Sequence, residues 1–339
     1  MSALGRAGGV LAVVFAVAAI VVGSACPDVA RPGLAASGHD GEVAIFYYPW
    51  YGTAARDGTW QHWQQHGNTP PSQIASSWFP VRGAYSSSDP AVVRSQMHEI
   101  ASVGVDTVIV SWWGPGSVEA ARLPAVARAA RAAGLKVAIH IEPYPGRTPP
   151  LLDPLIRELA ATGVRDFYVY DSTTISDDEW RTLNHGLSGV RLFANTALVG
   201  KADAGGFAGL YTYDTLVYSG ASFHRMCTSA RKKGLLCAPS VGPGFDARRA
   251  TGNPRTRGRG HGATYDRSWA AAVRAAADIV TITSYNEWHE GTQIEPAAAV
   301  GPGYLSYENA YGLVGRSAQR AYLDRTAFWI SRYRQRVGH

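Results

Sequence analysis

Apolar and polar positions along this chain follow two periods in turn. Short apolar runs rich in β-branched and aromatic residues read as strands. They are Val43 to Tyr48, Asp106 to Trp112, Leu135 to Ile141, Asp166 to Tyr170, Val190 to Ala194, Phe207 to Tyr213, Leu235 to Ser240 and Ile279 to Tyr285. Helical spacing fills Ala91 to Val103, Ser117 to Ala133, Leu151 to Thr162, Asp177 to Leu183, Ser222 to Lys233, Tyr265 to Ala277 and a long final segment, Tyr307 to Arg334. Asp89-Pro90 offers a cap and a first-turn proline, Gly134 and Gly163 are stops, and Pro124 predicts a kink or a restart. About eight strands alternating with helices predict a (β/α)8 barrel, an α/β fold, as one catalytic domain over residues 42–339. The runner-up is a doubly wound open sheet, which the lack of a GxGxxG or Walker motif after the first strand weakens.

The pattern before Glu42 differs. Arg6 precedes an uncharged apolar run, Val10 to Val22, and Gly23-Ser24-Ala25 has the small residues of a cleavage site. Residues 1–25 are expected to be an export signal and residues 26–41 a linker. The run is short for a membrane span, which needs about 20 residues. Cys26 adds a lipoprotein alternative, although Gly23 poorly suits the start of a lipobox, and an uncleaved membrane anchor is the third reading. The expected location is secreted or extracytoplasmic.

Composition changes this picture little. Hydrophobic residues are 46% of the chain and charged ones 17%, which permits a large core and argues against disorder. The net charge of +6 comes mostly from scattered arginines, with no long basic run, so no nucleic-acid partner is expected. Cys227 and Cys237 read by default as two buried thiols, with a disulfide as the alternative in an exported protein. No CxxC, HExxH or metal-spaced Cys/His set is present, so neither a metal nor a cofactor is expected.

Chemistry gathers where a barrel would put it, at the ends of the strands. Those ends read Tyr48-Pro49-Trp50, Trp112-Trp113, His140-Ile141-Glu142, Tyr170-Asp171, Tyr211-Thr212-Tyr213 and Asn286-Glu287-Trp288-His289-Glu290. Glycoside hydrolysis needs one acid to protonate the leaving oxygen and a second carboxyl group to work on the opposite face. Glu287 and Glu290 lie three apart, so one helical-type turn can aim both at one site. Glu142 is a third acid that can orient sugar hydroxyls or tune the pair. Glu295, followed by Pro296, stands between a site residue and a brace for the loop. The competing readings are a solvated acidic loop, strand-end aromatics that only plug the barrel mouth, and a non-catalytic carbohydrate-binding barrel.

The motifs resemble the endo-α-mannosidases of glycoside hydrolase family 99. Those that carry the resemblance are FYYPWYGT from Phe46, SWFPVRGAYSSSDP from Ser77, HIEPY from His140, FYVYDS from Phe167, GLYTY from Gly209, SVGPGFD from Ser240, TRGR from Thr256 and ITSYNEWHEGTQIEP from Ile282. They span Phe46 to about Trp329. Polysaccharide-biosynthesis barrels share a looser NEW-x-EGT segment. The resemblance implies a (β/α)8 fold and retaining, internal cleavage of α-mannosides with no metal. It also implies a 1,2-anhydro sugar intermediate, with Glu287 as base and Glu290 as acid. Trp113 stands where many bacterial members have Trp, which implies mannose rather than glucose at the neighbouring subsite, on mannan or high-mannose glycans. By the same resemblance Tyr48, Trp50, His140, Glu142, Tyr213, Asn286 and Trp288 bind substrate, and Arg257 and Arg259 lie on a loop that either contacts substrate or is a solvated basic loop. A monomer is expected. Departures near Arg248 to Pro254, and between Pro145 and Asp166, fall on the outer subsites.

Overall fold

The computed structural model describes residues 41–338. The leader, Cys26 and the linker up to residue 40 therefore lie outside the described residues. Among the described residues, eight parallel strands close into a barrel. They are β1 (Glu42–Tyr47), β2 (Thr107–Trp112), β3 (Lys136–Ile141), β4 (Asp166–Val169), β5 (Arg191–Asn195), β6 (Gly209–Thr212), β7 (Leu236–Val241) and β8 (Ile279–Ile282). Each is followed by a helix: α1 (Pro90–Ser102), α2 (Val118–Ala132), α3 (Pro149–Ala161), α4 (Asp177–Gly186), α5 (Val199–Ala204), α6 (Phe223–Lys232), α7 (Ala263–Arg274) and α8 (Ala321–Val337). The ring closes where β1 pairs with β8, Glu42 opposite Ile279 through Ile45 opposite Ile282. The predicted (β/α)8 fold is the observed one.

Strand periodicity sorts the side chains. Phe46, His140, Tyr168, Tyr211 and Tyr213 point into the barrel and pack ring against ring, with centroids 4.7–5.9 Å apart around Phe46. Each such pair contributes about 0.5–1.5 kcal/mol beyond its burial. Tyr47, one residue along, points outward and donates its hydroxyl to Gln96 of α1 at 2.7 Å. Gly209 must lack a side chain, because a Cβ there would lie 2.6 Å from the Leu236 carbonyl oxygen and 2.8 Å from the Phe193 ring.

The bottom of the barrel is tied by acids near the strand starts. Asp106 accepts from the Val43 N–H at 2.8 Å and from Arg334 of α8 at 2.7 Å. Asp166 and Arg191 form a bidentate pair at 2.6 Å. Asp278 accepts from the Cys237 N–H at 2.8 Å. These ties stabilise the fold and leave the opposite mouth to function.

Several boundaries differ from the sequence reading. The final helix starts at Ala321 rather than Tyr307, because Asn309, Tyr311 and Gly312 take left-handed backbone conformations and a separate short helix, Gly315–Gln319, precedes it. Strand β8 ends at Ile282 rather than Tyr285, since the chain turns inward to build the site loop. Pro124 does not restart α2, which runs unbroken through it. The six-residue α5 was not foreseen; with Gly200 in its first turn it is too short for a periodic signal. Cys227 of α6 and Cys237 of β7 are joined as a disulfide, not kept as two thiols. Among the described residues no helix is long and apolar enough to cross a membrane.

Candidate active site

The segment after β8 is fixed from below before it presents any chemistry. Ser284 N–H donates to the Thr292 carbonyl and Ile294 N–H to that of Ser284, both at 2.9 Å, so the loop closes on itself. Tyr285 N–H continues the sheet by donating to Phe46 O at 2.9 Å. Asn286 accepts from Tyr48 N–H at 2.8 Å and donates back to Tyr48 O at 3.0 Å. The Tyr51 hydroxyl donates to Asn286 O and accepts from Trp288 N–H, each at 3.0 Å.

Glu295 is a brace. It is fully buried and accepts from Gln96, Tyr85 and the Trp288 indole, each at 2.8 Å, and from Arg82 at 3.2 Å. Arg259 braces the other half of the loop. Its Nη2 donates to Gly291 O at 2.9 Å and Gln293 O at 2.8 Å. Its guanidinium carbon lies 4.5–4.7 Å from the ring centroids of Trp78, Tyr307 and Tyr322. Arg259 is therefore buried and not part of a solvated loop. Asn286 and Trp288, expected against substrate, are fully buried with their polar groups engaged inside the protein, so they support the site rather than line it. Arg257 donates to Thr215 O at 2.6 Å and to Tyr218 O at 3.3 Å, which ties its loop to the loop after β6.

Glu287 and Glu290 are left to face the mouth from one turn. That turn is closed by Gly291 N–H to Trp288 O at 3.3 Å, and it is not helical. Glu287 is buried. Burial first, then the charge of Glu290, push its pKa well above the usual carboxylate range, while the backbone N–H groups of His289 (3.1 Å to Oε1) and Glu290 oppose this. Glu290 keeps some access to solvent. Burial, followed by the charges of Asp214 and Glu142, pushes it up to about 8, against a hydrogen bond from Tyr213. Two neighbouring carboxylates in so dry a place do not both ionise at neutral pH. Backbone N–H groups favour the charge on Glu287, and a hydrogen bond from Tyr213 favours it on Glu290. The pair therefore holds a proton at neutral pH, which is the state acid–base work on a glycoside requires.

The walls come from the strand ends named in the sequence. Glu142, at the end of β3, accepts from Ser111 at 2.8 Å and lies 2.9 Å from Nδ1 of His140, whose Nε2 meets the Tyr211 hydroxyl at 2.8 Å. The hydroxyls of Tyr48 and Tyr213 bond each other at 2.5 Å. Burial pushes both phenols up, so they remain neutral donors. Trp50 lies against Tyr48, with ring centroids 4.7 Å apart, and stacks on His62 at 4.3 Å. Trp113 stays partly exposed just beyond β2. Among the described residues no group of three or more His, Cys, Asp or Glu is arranged to hold a metal ion.

Sequence reasoning gave no role of its own to Asp214, to Tyr170 at its strand end, or to His62. Asp214 and Tyr170 act electrostatically with Glu290. Asp214 directly follows the Tyr211-Thr212-Tyr213 strand end and could have been read there. His62 sits in a loop with no periodic pattern to place it.

A closed parallel barrel whose mouth carries a neighbouring pair of glutamates, ringed by tyrosines, defines a barrel glycoside hydrolase. The chain matches the model of glycosyl hydrolase family 99 over residues 39–335 and belongs to that family. It is 34% identical to a glycoprotein endo-alpha-1,2-mannosidase-like protein of Danio rerio, over 79% of this chain and 74% of that one. It is 31% identical to the glycoprotein endo-alpha-1,2-mannosidase of Xenopus laevis, over 88% and 78%. A solved GH99 endo-alpha-mannosidase from Bacteroides thetaiotaomicron, in complex with bis-tris-propane, superposes with a TM-score of 0.78 at 30% identity, covering 87% of this chain and 98% of that one.

Proposed function

We propose that this enzyme cleaves internal α-1,2-mannosidic linkages of mannan or high-mannose glycans with retention of configuration. The observation that carries the reading is the pairing of Glu287, held by backbone N–H groups, with Glu290, whose pKa burial, Asp214 and Glu142 raise to about 8. In an α-mannoside the 2-hydroxyl is axial and trans to the leaving group. Glu287 takes the proton of that hydroxyl, and its oxygen forms a bond to the anomeric carbon as the glycosidic bond breaks. Glu290 gives its proton to the departing oxygen. The 1,2-anhydro sugar is then opened by a water that Glu290, now ionised, deprotonates, and O2 recovers a proton from Glu287. Each carboxyl group ends as it began, and no protein–sugar bond is needed. Glu142, Tyr48, Tyr213 and His140 supply hydrogen bonds to the sugar hydroxyls.

Export suits this substrate. The Arg6 to Ala25 pattern supports it, and so does the Cys227–Cys237 disulfide, since such bonds persist in oxidising compartments. Attachment to a membrane through the leader or Cys26 belongs to the same proposal.

The test is incubation of residues 42–339 with α-1,2/1,6-linked yeast mannan and, separately, with a glucosylated high-mannose glycan, beside Glu287→Gln and Glu290→Gln. A disaccharide of mannose alone, released by the wild type and by neither variant, is the expected product. Preferential release of glucosyl-mannose would move the specificity to glucosylated glycans. Glycan bound but uncut by the wild type would leave only a binding module.

A further inference from the structure

His289 lies between the two glutamates in the sequence, and the mechanism above gives its ring no part. That ring is nevertheless tightly placed. Its Nε2 lies 2.6 Å from the backbone carbonyl oxygen of His62. A carbonyl oxygen only accepts, so Nε2 carries the hydrogen and Nδ1 does not in the neutral ring. Burial keeps the ring neutral, with its pKa pushed down to about 4. The two imidazoles stack at 5.4 Å and 22°, and Trp50 stacks on both, at 4.3 Å from His62 and 5.7 Å from His289. His62 itself has φ +60°, a left-handed backbone that is uncommon for a residue other than glycine. This conformation belongs to the turn that presents its carbonyl to His289. At the other end of the same residue, the His289 backbone N–H donates to Glu287 Oε1 at 3.1 Å.

We propose that His289, anchored by the His62 carbonyl and the Trp50–His62 stack, is a positioning residue for Glu287. The ring fixes the peptide whose N–H holds the base carboxylate. The chain of contact runs from the loop after β1 through one side chain to the reacting acid, with no step through substrate. The proposal rests on Glu287 being the base.

A bond to a carboxylate favours its charged form, so loosening the His289 N–H raises the pKa of Glu287. The other groups that face Glu287 are Glu290 on its own turn, Glu142 beyond β3, Tyr48 and Tyr51 beyond β1, and Tyr213 beyond β6. All stay in place in the variants below, so a moved acid limb reports the His289 contact.

The experiment compares wild type, His289→Phe and His289→Gln on a linear α-1,2-mannan oligosaccharide, with kcat and KM measured from pH 4 to 9. His289→Phe keeps a ring and loses the donor. Its kcat should fall about 10–100-fold, with KM changed less than about threefold, as expected for a misplaced catalytic group. Its acid limb should move up by about half a pH unit or more. His289→Gln, which can still donate to His62 O but gives up the stack, should recover part of the rate and part of the limb shift. An acid limb unmoved in His289→Phe, or no rescue in His289→Gln, overturns the proposal. If His289→Phe does not fold, His62→Asn carries the test. Asparagine tolerates the left-handed backbone and keeps the carbonyl but removes the stack; the limb should rise, and an unmoved limb overturns the proposal. Full activity in Glu287→Gln would instead refute the base assignment itself, an outcome read from a different variant.

Discussion

Asn286 and Tyr48 hold each other by two hydrogen bonds, 2.8 and 3.0 Å, across 238 positions of sequence. The amide does for the site loop what a strand partner does inside the sheet: it satisfies both backbone groups of Tyr48. Asn286→Ala leaves a buried N–H and a buried carbonyl without partners, at about 1–3 kcal/mol for each orphaned group. The expected result is a lower urea midpoint and a lower kcat, since Tyr48 lines the site and Glu287 follows Asn286. An unchanged unfolding curve would contradict this account.

Glu290 gives a pH signature with a definite sign. In the proposed role of acid, Glu290 must be protonated to act, so the rate should fall as pH rises through about 8. The linkage to stability runs the same way. Its folded pKa lies above the unfolded value of about 4.3, so the stability it contributes is full below that value and lost as pH climbs through about 8. Glu290→Gln cannot ionise. Melting curves at pH 9 should show the inactive variant more stable than wild type, with the gap shrinking toward pH 5.

Glu295 has four donors and no hydrogen bond to the reacting pair itself, so its removal should cost stability more than chemistry. Glu295→Ala leaves Arg82 with Glu99 alone and breaks a buried pair, a change that costs about 3–5 kcal/mol. Chemical denaturation should show that loss. The remaining folded enzyme should keep the limbs of its pH–rate profile where wild type has them.

The Cys227–Cys237 bridge closes a loop with a sequence separation of 10. Its loss is expected to lower stability by about 2–3 kcal/mol. Alkylation under denaturing, non-reducing conditions should leave residues 42–339 unlabelled, and prior reduction should add two labels by mass. Two labels without reduction would show the bridge absent from the purified protein.

How much of this was legible beforehand follows the range of each interaction. Strands and helices repeat within a few residues, so the barrel could be read from periodicity, as could the clustering of Glu142, Tyr213, Glu287 and Glu290 at strand ends. Asn286, Trp288 and Arg259 are polar or aromatic residues in motif positions. Only the folded structure shows that their bonds turn inward, to Tyr48, Glu295 and the Gly291 and Gln293 carbonyls. The final helix was overextended because Asn309 and Tyr311 in left-handed conformations have no periodic signature. The disulfide could not be told from two thiols, because its geometry depends on how α6 packs on β7.

The pairing of β1 with β8 sets a timetable for synthesis. Strand β1 emerges first and has its β2 partner within about sixty-five residues, but its other edge stays open until Ile279 to Ile282 are made. For most of translation the growing chain presents an uncovered parallel strand edge, a template for unwanted pairing. The residues that finish the ring are followed at once by Glu287 and Glu290, so the last barrel edge to be covered and the first catalytic group to form appear almost together. A nascent chain released between Tyr213 and Ile279 carries the mouth tyrosines and Glu142 but neither reacting glutamate, and its barrel cannot close.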